Sequence, residues 1–225
     1  MFFTKVNGMD IFYEKMGEGE PLILLHGNGE THEIFEEAAE KLAQRYTVYL
    51  PDTRGHGRSG KVSEYHYDAM ARDVYCFIKV MGLEKPILYG FSDGGIVGLL
   101  VASQYPGLLK KLVVSGVNAR PDDIKRPYLW WMKLQYAVTR NPLIRLMLTE
   151  PDITEEQLQA IDVPVEITAG SRDVIRQSAM MEICRHIPQA IFTLFEGEDH
   201  GSYIIHSTKI ADYLMGKSIF TKQSE

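Results

Sequence analysis

Cysteine is nearly absent from this chain. Cys76 and Cys184 are the only two in 225 residues, each within a stretch of helical pattern. They are too few for a disulfide framework and lack the close pairing of a zinc site, so both are expected to be buried small apolar residues. An excess of positive charge is missing as well. There are 24 Lys and Arg against 30 Asp and Glu, a formal net charge of −6, which argues against a general nucleic-acid binder because neutralising phosphates needs a basic surface. No apolar run is long enough to span a membrane, and the first residues lack a basic segment followed by a long apolar one. No membrane partner and no signal peptide are therefore expected, and a cytoplasmic location is the default. Internal repeats and low-complexity segments are also lacking.

What is present is an ordinary globular balance, 45% apolar and 24% charged residues, on a length that supports one sizeable core. Residues 1–225 are expected to form a single domain. Short apolar runs at Pro21–Leu25, Tyr46–Leu50, Pro86–Tyr89, Leu109–Val114, Val163–Thr168 and Ala190–Phe195 fit strands buried on both faces. Longer segments between them have helical spacing. From Tyr67 to Met81, for example, Tyr67, Met70, Ala71, Val74, Phe77, Ile78 and Met81 form one apolar stripe, with Asp68, Arg72, Asp73 and Lys79 largely outside it. Glu33–Ala43, Gly94–Tyr105, Val174–Cys184 and Ser207–Leu214 read similarly. The alternation predicts an α/β fold with a mostly parallel, doubly wound sheet. Phe2–Val6 and Asp10–Lys15 flank Asn7-Gly8, which predicts an N-terminal antiparallel hairpin on a type I′ turn.

Residues 117–162 break the rhythm. They hold no convincing strand but contain Trp130, Trp131, Met132, Leu134, Tyr136 and an apolar cluster at Leu143–Leu148. Thr154 with Gln157 matches a capping box and Ile153 with Leu158 a hydrophobic staple, so a short helix is predicted to begin at Glu155. This stretch reads as a small helical excursion, and as a candidate lid. Trp130 and Trp131 are its candidate substrate-binding residues, with plain packing as the alternative. Arg120, Arg126, Arg140 and Arg145 read as solvated, with a carboxylate clamp as the alternative. The tail after Gly216 is expected to fray.

The chemistry centres on Gly90-Phe91-Ser92-Asp93-Gly94-Gly95, between a predicted strand and a predicted helix. A nucleophile at so sharp a turn is held in strained backbone, and glycines two residues to either side avoid collision with neighbouring backbone. The turn raises the hydroxyl above the sheet and sets the N–H of Asp93 near the helix's positive end. Serine needs a base to take its proton. Seven histidines compete for that role. His26 and His56 sit among glycines, and His32, His66 and His186 lie at or within helical segments, as exposed or capping residues. His200 lies in a loop beyond the Ala190–Phe195 run, where an open α/β sheet keeps its ligand chemistry. His206 ranks second to it. Asp173, beyond the Val163–Thr168 run, is the candidate acid that would orient the imidazole, with a helix N-cap as its alternative reading. The chain order Ser92, Asp173, His200 is one of the known triad orders.

Through these motifs the sequence resembles the α/β-hydrolase superfamily over essentially its whole length. The resemblance rests on His26-Gly27-Asn28-Gly29, the loop from Asp52 to Ser59 (DTRGHGRS), the Ser92 turn and the Asp173/His200 pair. It implies that the backbone N–H of Asn28 joins that of Asp93 in an oxyanion hole. It makes His26 structural and the Arg54–Ser59 loop architectural, with Arg54 a candidate to reach the pocket. The chain departs from lid-bearing members in its short excursion and in Asp93, where methionine or glutamine is commoner after the nucleophile. The resulting expectation is a serine hydrolase acting on a small ester-like substrate, needing no cofactor and no metal. A thioesterase, a carbon–carbon bond hydrolase, a perhydrolase or a non-catalytic small-molecule receptor would share the same site.

Overall fold

The hairpin forms as its turn residues require. Asn7 and Gly8 have φ of 48° and 76°, both positive as in a type I′ turn, and join β1 (Phe2–Val6) to β2 (Met9–Met16) in antiparallel register. The structure is a computed structural model and describes residues 1–216 and 221–223. The remaining strands are β3 (Glu20–Leu25), β4 (Tyr46–Pro51), β5 (Ile87–Phe91), β6 (Lys111–Ser115), β7 (Val165–Gly170), β8 (Ala190–Phe195) and β9 (Thr221–Gln223). They form one sheet in the order β1-β2-β4-β3-β5-β6-β7-β8-β9. β3 to β8 pair parallel, while β1, β2 and β9 pair antiparallel.

Helices cover both faces, which is why the central strands read as unbroken apolar runs. On one face lie α1 (Glu36–Leu42), entered through a 3-10 turn at His32–Phe35, and α8 (Lys209–Leu214). Phe35, Leu42 and Ile210 pack there with Leu24, Val48 and Tyr89 of the sheet. On the other face lie α2 (Tyr67–Val80), α3 (Asp93–Gln104) and α7 (Gln177–His186), with Phe77, Leu99 and Met180 over Ile23, Leu88, Val114 and Ile167. The excursion between β6 and β7 contributes α4 (Arg126–Thr139), α5 (Pro142–Thr149) and α6 (Glu155–Gln159). The Thr154/Gln157 capping box is formed in both directions, and Ile153 and Leu158 are both buried.

Several expectations are corrected. β5 and β7 each run two residues past the predicted runs, to Phe91 and Gly170, because the strand ends feed directly into the site loops. α7 begins three residues later than its pattern suggests, since Ile175 pairs with Ile124 in an isolated antiparallel bridge. Asp73 is buried, because the Arg54 guanidinium makes two hydrogen bonds to its carboxylate and Asn7 a third. Arg54 is thereby held away from the pocket in a structural pair. His32 is buried too: both its backbone N–H and its Nδ1–H donate to Asp52. Cys76 and Cys184 are half-buried. Of the tail expected to fray, residues 217–220 and 224–225 lie outside the described residues, while Thr221–Gln223 extends the sheet. Among the described residues no helix is long and apolar enough to cross a membrane.

Candidate active site

β5 ends at Phe91 and α3 starts at Asp93, so Ser92 alone turns the chain. Its φ of 51° and ψ of −116° form a strained conformation for a residue with a side chain. The flanking glycines are a steric necessity: a Cβ at Gly90 would overlap the carbonyl of Gly94, and one at Gly94 would overlap that of Leu25. Ser92 N–H donates to the carbonyl of Ser115 at 2.8 Å, and Ser92 C=O accepts from Gly95 and Ile96 in the first turn of α3. The strain is thus held by bonds on both sides.

His200 arrives from the loop after β8 and Asp173 from the loop after β7. Ser92 Oγ lies 3.1 Å from His200 Nε2, and His200 Nδ1 lies 2.7 Å from Asp173 Oδ1. With the proton assigned to Nδ1, the hydroxyl donates to a free imidazole lone pair. Asp173 is buried, and its Oδ1 also accepts from Ile175 N–H at 2.9 Å. Its Oδ2 is buried without a hydrogen-bond partner among the described residues. A charge so poorly solvated stabilises an imidazolium formed beside it. Asp173 is no N-cap, since α7 starts at Gln177. Two residues that sequence reasoning missed complete the mount. The ring of Phe91 packs 5.0 Å from the imidazole, and Gly116, with φ of 62°, leaves room that a Cβ would take from the ring. His206 points elsewhere, exposed and 3.5 Å from Glu37.

The backbone N–H groups of Asn28 and Asp93 donate no hydrogen bond within the described residues. The loop bearing Asn28 is held by histidines. His26 donates from Nδ1 to Gly27 C=O at 2.9 Å and accepts at Nε2 from Thr53 N–H at 3.0 Å, while His56 Nε2 accepts from Gly29 N–H at 3.2 Å. Burial lowers the His26 pKa to about 4, so this imidazole stays neutral and keeps an acceptor for Thr53. Glu30 closes the loop by accepting from Gly27 N–H, and its burial raises its pKa.

The role of the Asp93 side chain becomes visible only in three dimensions. It accepts from Asn28 Nδ2 and from the Tyr67 hydroxyl, both at 2.8 Å. Asn28 Nδ2 also reaches the carbonyl of Leu143 in α5 at 3.3 Å. One carboxyl therefore ties the Asn28 loop to α2 and, through Asn28, to the excursion. Burial pushes its pKa up to about 6 against the opposing pull of the two hydrogen bonds. Tyr67 had read only as one apolar position of α2; nothing in the helical pattern marks a hydroxyl aimed into a site.

Ser92, Asp93 and His200 open on a cavity of about 150 Å³. Tyr128, Trp131, Met132 and Met147 from the excursion line it, with Val174 and Ile175 below. No Lys or Arg is among its lining residues. Trp131 is thus at the cavity, whereas Trp130 is 66% exposed on another side of α4 and lines a separate groove. Arg120, Arg126, Arg140 and Arg145 are all exposed, so none forms a carboxylate clamp in the cavity. No group of three His, Cys, Asp or Glu suited to a metal occurs among the described residues.

An open α/β sheet carrying a strained serine between strand and helix, backed by a histidine and an acid from later loops, defines a class of protein. A family described as alpha/beta hydrolase fold matches residues 20–150, and the chain belongs to it. An AB hydrolase superfamily protein of Bacillus subtilis, YisY, is 37% identical over 248 positions, covering 89% of this chain and 92% of that one. That alignment is longer than the 225 residues here, so the relative has segments without a counterpart in this chain. The serine hydrolase BPHL of Homo sapiens is 34% identical over 127 residues, 52% of this chain and 43% of that one. Among solved structures, a meta-cleavage product hydrolase of Pseudomonas fluorescens superposes with a TM-score of 0.79 at 18% identity, covering 96% of each chain.

Proposed function

We propose that the protein is a serine hydrolase that cleaves small, uncharged carboxylic esters through an acyl-enzyme. The observation that carries the reading is the hydrogen-bonded line from Ser92 Oγ through His200 to Asp173 at a strained strand-to-helix turn. His200 takes the proton as Ser92 attacks the carbonyl carbon, and Asp173 steadies the imidazolium. The N–H groups of Asn28 and Asp93 receive the developing oxyanion, the kind of donor whose loss costs about 10²–10³-fold in rate. His200 then returns the proton to the leaving alcohol and activates the water that releases the acid.

The cavity supports the choice of substrate. It is small and apolar on its excursion side, and the charged residues lining it are acidic. A substrate carboxylate would find no cation there, which disfavours a carbon–carbon hydrolase of a keto acid and favours a neutral ester. The test is labelling by a fluorophosphonate, followed by hydrolysis of short-chain nitrophenyl esters. Wild type should label and turn over, and Ser92→Ala should not label and should lose at least about 10⁴-fold in kcat/KM. A wild-type protein that binds esters but neither labels nor turns over would leave a small-molecule receptor on a hydrolase scaffold as the better reading.

A further inference from the structure

Helix α4 is apolar on two sides. Leu129 is buried and Met132 and Tyr136 are half-buried on its inner side. On its outer side Trp130, Leu134 and Val138 follow at four-residue steps, 66%, 43% and 79% exposed. Contiguous exposed apolar surface of this kind ordinarily marks an interaction site. Charge is distributed just as unevenly. From Ile124 to Thr149 there is no Asp or Glu and there are five Lys and Arg, in a chain whose net charge is −6. Arg126 and Lys133, seven residues apart, run along one edge of the apolar stripe, and Arg140 follows just past the end of the helix, its guanidinium over the Tyr136 ring. Arg126 and Lys133 form no ion pair among the described residues. With Lys125, Trp130, Asp122 and Arg176, the last paired with Asp123, they line an open groove of about 750 Å³.

We propose that the outer face of α4 docks on an anionic lipid bilayer surface. Trp130, Leu134 and Val138 would lie at the boundary of headgroups and acyl chains, with Arg126 and Lys133 on the lipid phosphates. Tryptophan favours that boundary, and an apolar helix face edged by cations lies in its plane. A second copy of this chain is the weaker occupant, because it would bring the same cations against each other in a contact that desolvates them. The sequence expectation of no membrane partner considered spanning segments alone, and a helix lying on the surface is not one. Since the same helix lines the Ser92 cavity, docking would set the cavity mouth at the lipid–water boundary. That consequence rests on the hydrolase reading; the docking itself does not.

Trp130 and Trp131 are the only tryptophans in the chain, so intrinsic emission reports on this helix alone. The test is sedimentation of the full chain with vesicles of phosphatidylglycerol mixed into phosphatidylcholine, against phosphatidylcholine alone, reading tryptophan emission in the same samples. Partition into the anionic vesicles, a blue shift of emission and weakening by salt are expected. Arg126→Gln with Lys133→Gln should lower that partition by roughly 30-fold while leaving hydrolysis of a soluble short-chain ester unchanged. No partition into either vesicle overturns the proposal, as does equal, salt-insensitive partition into both. A dimer whose emission moves to the red on dilution overturns it in favour of a second copy. Docking by a protein that fails to label with fluorophosphonate would sink the hydrolase reading alone.

Discussion

Helices α3 and α4 are both rich in apolar residues and meet opposite fates. α3 buries ten of its twelve residues, and α4 buries one of its fourteen. α3 lies across β3, β5 and β6 at the middle of the sheet, so every side of it meets a strand or another helix. α4 is carried on an excursion between two strand ends and meets the rest of the molecule on one side only. An element's composition says how much apolar surface it brings; its place in the topology decides how much of that surface is covered.

The contrast makes the surroundings of the Ser92 turn the fixed half of the site and α4 its adaptable half. The largest effect should come from the fixed half. Asp173→Asn removes the charge that orients His200 and is expected to lower kcat by about 10⁴-fold with the fold retained, read by steady-state kinetics beside circular dichroism. A loss below about tenfold would show that Asp173 does not set the imidazole. Next, Leu99→Ala in α3 is expected to cost about 2–5 kcal/mol by urea unfolding. A value near zero would mean that α3 is loosely packed after all.

Asp93 offers a pH-dependent way to sharpen the contrast, since it connects the fixed half to the excursion. Its carboxyl titrates at the ordinary 3.8 when unfolded and at about 6 when folded, so the folded state disfavours the ionised form. Stability from this residue is complete below about pH 4 and is lost as pH rises through about 6. An amide at the same position does not titrate. The stability of Asp93→Asn relative to wild type should therefore climb between about pH 4 and 6 and level off above, by up to about 3 kcal/mol. A difference that stays flat from about pH 4 to 7 would rule out the burial effect. The smallest change should be Leu134→Ala on the outer face of α4, within about 0.5 kcal/mol. A cost like that of Leu99→Ala would mean the face is covered in solution, by a second copy of the chain.

Much of the scaffold was legible in advance. Six apolar runs, their alternation with helical stripes and the Asn7-Gly8 turn follow from local chemistry, and each became the element it predicted. The errors fall where a local cue met a tertiary demand. The apolar runs stop at Tyr89 and Thr168, yet the ladder continues to Phe91 and Gly170 because their neighbouring strands remain in register. Asp73 read as lying outside the apolar stripe of α2 and His32 as exposed or capping, yet each is buried with a partner some twenty residues away, Arg54 and Asp52. Tyr67 read as core, and its ring is core, but its hydroxyl serves Asp93.

Local chemistry was enough to set the sharp turn at Ser92, because only glycine tolerates the overlaps at positions 90 and 94, and to put Asp173 and His200 in loops beyond strand ends. It took the packed fold to bring the three together, to let Asp93 tie the Asn28 loop to α2, and to turn Trp131 to the cavity and Trp130 to solvent. Those outcomes depend on distances between residues 26 to 108 positions apart and on which side of a helix is covered, quantities set by packing and not by any local pattern.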